Sequence, residues 1–101
     1  MAIWDKLKTE LDRAGRTAQG AIDEGRLRLE SFRARQLADR AAQTLGYALY
    51  NARRSGGDLE ADAYARLSAV IAGHEADAVR FEEQITEIGR KRKDAPTTAT
   101  V

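Results

Sequence analysis

Between Tyr64 and Ile88 the chain carries Tyr64, Leu67, Ile71, His74, Ala78, Phe81, Ile85 and Ile88 at alternating steps of three and four. A helix keeps that spacing on one face, whereas a strand scatters it to both sides. Seven of the eight are apolar or aromatic, and His74 is the exception. Such a face is stable only when another surface covers it. Leu59, Ala63 and Val70 widen it enough to meet more than one neighbouring helix. A seven-residue repeat kept over this length predicts small-angle packing, as in coiled coils and helical bundles. These eight residues are therefore the predicted oligomer interface, to be covered by the first half of the chain and by a second copy.

The first half offers a matching surface. Leu27, Ala34, Ala38, Ala41, Leu45, Ala48 and Ala52 form an alanine-rich seam, which Leu37 and Leu49 are expected to enlarge. Alanine lets helices approach closely but buries less apolar area than leucine. Phe32, Tyr47 and Tyr50 supply larger contacts around the seam, and Arg26, Arg33, Arg40 and Arg54 make another face basic. The two tyrosines share a face beside Leu49, where their hydroxyls suit the rim of an interface. Between the halves, Arg53 and Arg54 favour a helix C-terminus, Gly56 or Gly57 suits the left-handed stop, and Asp58 suits the next N-cap. Glu60 and Asp62 then place negative charge in the first turn. So short a connection predicts antiparallel neighbours.

At the N-terminus, Ile3, Trp4, Leu7, Leu11, Ala14 and Ala18 lie near one face of an amphipathic helix. They either cap an end of the helical core or form a contact surface for a partner or a membrane. Lys6, Lys8, Arg13 and Arg16 would meet anionic headgroups, although Asp5, Glu10 and Asp12 dilute the positive charge. Gly15, Gly20 and Gly25 mark the expected bend or soft segment, since each internal glycine costs roughly 1 kcal/mol relative to alanine. A helix from Ile3 to Arg54 would span roughly 78 Å and one from Leu59 to Lys91 roughly 50 Å. The second cannot cover the first. The N-terminal residues must overhang, fold back near the glycines into a three-helix monomer, or pack on another molecule.

Composition enters where it narrows the class. With 101 residues the chain suits one domain, taken as residues 1–93 with a flexible tail at 94–101, and its Ala, Leu, Arg and Glu content favours helix. Having no cysteine, it has neither disulfides nor thiolate metal sites. No stretch reads as a secretion signal or a membrane span, which predicts a cytoplasmic protein, either free or peripheral to a membrane. Residues 1–57 hold eleven Lys or Arg against seven Asp or Glu, a net of +4, while residues 58–90 hold three against eight, a net of −5. The two halves thus attract when antiparallel, though exposed pairs contribute only ~0.2–1 kcal/mol each. Charge selects orientation, and apolar burial supplies the stability.

Nothing in the chain assembles a chemical site. His74 lies in the apolar stripe with Asp77 on a nearby face, but no second histidine exists to complete a metal or catalytic motif. An interior histidine suits a core or interface position and could make association sensitive to pH. The carboxylate pairs Asp58 with Asp62 and Glu83 with Glu87 read as solvated charge. Ser31, Ser55 and Ser68 lack a base and an orienting partner. No catalytic, metal or cofactor-binding residue is therefore predicted. The basic run Arg90 to Lys93 complements the dipole of a helix end, and without aromatic interleaving it disfavours nucleic acid as a partner.

The expectation is an all-α fold: a long antiparallel helical hairpin with an N-terminal amphipathic extension, assembled as a homodimeric four-helix bundle. Its expected function is that of a non-enzymatic scaffold or adaptor acting through self-association and a protein partner. The alternatives are a peripheral protein that binds an anionic membrane surface through Ile3, Trp4, Leu7 and Leu11, and an enzyme whose site leaves no trace in the sequence.

Overall fold

The computed structural model describes residues 2–94, which form two helices, α1 (Ala2–Arg54) and α2 (Ala61–Asp94). Beyond Asp94, the expected tail lies outside the described residues. The helices pack side by side as an all-α antiparallel hairpin with a long axis of 82 Å.

α1 runs as one helix through Gly15, Gly20 and Gly25, and the 82 Å long axis matches an extended rod, so of the expected bend or soft segment no fold-back is seen. A helical glycine costs backbone entropy but keeps its N–H, so it does not break the hydrogen-bond ladder as proline would. Ala14, Ala18 and Ala21 between the glycines carry high helix propensity. The N-terminal segment therefore does not fold back.

The turn follows from Gly56. Its φ of +85° is the only left-handed backbone among the described residues. With that geometry the Gly57 amide donates to the Ala52 carbonyl at 3.0 Å and the Gly56 amide to the Arg53 carbonyl at 3.0 Å. These paired bonds are a Schellman motif and satisfy two carbonyls that the helix end would leave orphaned. α2 begins later than the charge pattern suggests. The Glu60 carbonyl accepts the first helical bond, from the Tyr64 amide at 2.9 Å, so Glu60 and not Asp58 is the N-cap. Asp58 instead faces back across the turn toward Arg53 Nη1, at 3.6 Å.

Two ion pairs define the register. Arg35 Nη2 donates to Glu82 Oε1 at 2.6 Å, and Arg92 Nη2 donates to Glu24 Oε2 at 2.7 Å. That register brings Ala38 and Ala78 to the same level, where Ala78 is 0% exposed and Ala34, Ala38 and Ser31 are buried. Leu27, Ala41, Leu45, Ala48 and Ala52 continue the seam of α1 as half-buried residues. Facing them on α2 are Leu67, Ile71, His74, Phe81, Ile85 and Ile88, also half-buried. The core is thin: it is built of small side chains, and among the described residues no large one is fully enclosed.

Four residues expected in this core lie outside it. Leu37, Leu49, Tyr64 and Val70 are all exposed. Each sits one residue from a seam member, Ala38, Ala48, Ala63 or Ile71, and so about 100° round the helix from it. A two-helix contact is too narrow to cover both. Trp4 and Leu7 do not cap the end of the core either. Residues 2–19 are exposed throughout, because α2 ends near the level of Arg16 and Gly20. The first helix therefore projects roughly 25 Å beyond its neighbour.

Candidate interaction surface

The seam consumes one face of α1, and the opposite face is also apolar. From the N-terminus it carries Trp4, Leu7, Leu11, Ala14 and Ala18. Ile22, Gly25, Leu29 and Phe32 follow, then the more polar Gln36, Arg40 and Gln43, and finally Tyr47 and Tyr50. Every one of these residues is exposed. Their steps are of three and four, so they form a single stripe on the far side of the helix from Ala34 and Ala38. α1 is thus apolar on two opposite faces, one covered by α2 and one by nothing else among the described residues.

The two ends of this stripe differ. At the N-terminal end, Ile3, Trp4, Leu7 and Leu11 stand on the projecting part of α1, with Trp4 69% exposed. At the other end Gln43, Gly46, Tyr47 and Tyr50 enclose a shallow groove of about 440 Å³. The groove exists because Gly46 has no side chain; a Cβ built there would meet nothing within 4 Å. Tyr47 and Tyr50 are 69% and 61% exposed, so both rings stand on the open face and neither contributes to the hairpin core.

A second groove lies beside the seam, lined by Arg28, Phe32 and Arg35 of α1 and by Glu82, Ile85 and Thr86 of α2. Its floor is Ser31, and the Arg35–Glu82 ion pair closes one side. The Arg35 guanidinium is pushed above its ordinary value by its hydrogen bond to Glu82.

The residues considered for chemistry remain apart. His74 is half-buried in the seam, and among the described residues no hydrogen bond joins it to Ser31, Ser55 or Ser68. Ser55 Oγ donates to the Asn51 carbonyl at 3.0 Å, whereas Ser68 Oγ is enclosed with no hydrogen-bond partner. Asp77 and Glu87 accept from Arg80 at 3.0 Å and Arg90 at 3.2 Å on the surface of α2. Among the described residues no group of three or more His, Asp or Glu side chains could hold a metal ion. No described helix is long and apolar enough to cross a membrane.

Of the eight residues predicted as an oligomer interface, seven face the seam of their own chain and Tyr64 stands outside it. The N-terminal quartet Ile3, Trp4, Leu7 and Leu11 is on an open surface. What sequence reasoning missed is that this quartet continues through Leu29 and Phe32 to Tyr50. The signal was present in the spacing, but alanines, glycines and glutamines interrupt it and the stronger stripe of α2 overshadows it. No family model matches the chain, and neither a curated protein nor a solved structure matches it.

Proposed function

We propose that this chain is a non-enzymatic helical scaffold or adaptor that works by self-association and by presenting a helical surface to a protein partner. The observation that supports the reading most directly is the outward stripe of α1. Soluble monomers rarely expose contiguous apolar patches larger than a few hundred Å². This stripe exposes Trp4, Leu7, Leu11, Ile22, Leu29 and Phe32 along the first part of α1 and, beyond the polar Gln36, Arg40 and Gln43, Tyr47 and Tyr50. The thin core points the same way, since a hairpin that encloses no large side chain gains from a further covering surface. Two hairpins joined along this stripe would form a four-helix assembly in which the exposed side chains of α1 lose contact with water.

Absolute mass measured by light scattering over a wide concentration range tests the proposal. Growth beyond the 11.1 kDa of one chain supports it, and a constant single-chain mass would overturn it.

A second reading has its own support. Ile3, Trp4, Leu7 and Leu11 stand exposed on a part of α1 that no other described segment reaches, as an interfacial membrane helix requires. Flotation of the intact chain with anionic vesicles tests it, and failure to float removes it.

A further inference from the structure

We infer that a second copy of this chain docks antiparallel along the outward stripe of α1, with Leu7 of each copy entering the groove at Gly46 of the other. This deepens the self-association proposed above and rests on it.

The groove has the form that such packing needs. In knobs-into-holes contacts a side chain enters a hole made by residues at i, i+3, i+4 and i+7 of the facing helix. Gln43, Gly46, Tyr47 and Tyr50 stand in that relation and surround about 440 Å³ of open space. Glycine deepens the hole, and the two tyrosine rings wall it.

The spacing of the stripe determines which knob arrives. Its steps of three and four, counted from Trp4 to Tyr50, have the same order as those counted from Tyr50 to Trp4. Two antiparallel copies therefore align along the full stripe, with Trp4 level with Tyr50 and Leu7 level with Tyr47. Side-chain size supports this direction. Antiparallel pairing sets Gly25 beside Leu29 and Ala18 beside Gln36, so that small residues meet large ones. It also sets Arg40 beside Ala14, where the guanidinium has room to reach water. A parallel pair would hold Arg40 against Arg40, two like charges in one seam.

The area is of the right order. The eight large apolar side chains of the stripe expose on the order of 1,000 Å² per copy, so burial of most of it reaches the roughly 800 Å² per partner of a standard specific interface. The arrangement also accounts for the unequal helix lengths. α2 does not reach the projecting end of α1, and there the partner's α1 would cover the outward stripe.

Because the chain has no cysteine, single Leu7→Cys and Tyr47→Cys variants can be mixed in equal amounts and treated with a short bismaleimide. Both positions are exposed in the single chain, so the hairpin itself tolerates them. The result expected is a dominant 7-to-47 cross-link between two chains. Links of 7 to 7 and 47 to 47 mean parallel pairing and overturn the inference. A dimeric mass with no stripe cross-link places the second copy elsewhere: the inference fails and self-association stands. A single-chain mass at every concentration removes both, as does vesicle binding by a chain that stays monomeric in solution. Gly46→Leu provides an independent arm, since a Cβ there meets nothing within 4 Å while the added side chain occupies the hole. Dimer dissociation should rise at least tenfold with helix content retained, and unchanged association overturns the inference.

Discussion

Arg92, near the end of α2, donates to one carboxylate oxygen of Glu24 at 2.7 Å while Arg28 donates to the other at 3.0 Å. Glu24 is thereby held between a residue of its own helix and one from the opposite helix, with its side chain only 16% exposed. This clamp marks the end of the paired part of the hairpin. Below it α1 continues alone.

The clamp has a pH signature. Hydrogen bonds from Arg28 and then Arg92 hold the Glu24 carboxyl below its ordinary value of 4.5. A carboxylate whose pKa is lower folded than unfolded stabilises the fold above the unfolded value, and that contribution disappears as pH falls through the folded value. Glu24→Gln should therefore melt below the parent at neutral pH, and the difference should shrink as the solution is acidified below 4.5. Thermal denaturation of both proteins across a pH series measures it. A gap that stays constant into strong acid would show that Glu24 adds nothing through its charge.

The alanine seam leaves no room. Ala78 is 0% exposed at the level of Ala38, so Ala78→Leu has to push the helices apart. Overpacking of this kind costs roughly 1–3 kcal/mol. Ala76→Leu, on an exposed position of the same helix, serves as the control. Denaturant titration should separate the two, and equal stability of both variants would mean that the seam is looser than described.

At the turn, two adjacent glycines should respond differently. Gly56 has a φ of +85°, where a Cβ costs about 1–2 kcal/mol. Gly57 has no such φ, and an added methyl meets nothing within 4 Å at either position. Gly56→Ala should lower the melting temperature clearly and Gly57→Ala only slightly. A reversed order would remove the Schellman assignment.

Most of the hairpin was legible because its signals are local. The stripe of α2 repeats over many turns with large side chains, and the seam from Leu27 to Ala52 repeats with small ones. Gly56 was readable as a stop because few residues tolerate left-handed backbone. The N-cap was misplaced because Asp58 and Glu60 both look suitable, and only the path of the turn decides between them. Leu37, Leu49, Tyr64 and Val70 were misassigned for another reason. Hydrophobicity states that a side chain prefers cover, while the width of the available cover depends on how many helices are present. The same limitation hid the outward stripe: a second apolar face has meaning only once the first has been occupied.

Continuity of α1 through its glycines leads to a further prediction. Gly15 is exposed and helical, and a Cβ there meets nothing within 4 Å. Gly15→Ala should stabilise the projecting segment by up to about 1 kcal/mol. Circular dichroism should record more helix on warming than in the parent. No gain would indicate that this segment already derives its order from something seated on it.

The unequal lengths of the helices also divide the molecule into two regimes of exchange with water. Amides from Leu27 to Arg54 and of α2 sit in a braced pair of rods, whereas those of residues 2–19 are protected only by the rungs of one unsupported rod. Deuterium uptake should advance from the N-terminus and slow where Glu24 is gripped. The same stretch is consequently a built-in gauge: any molecule that settles on it would retard uptake there and leave the braced region unchanged.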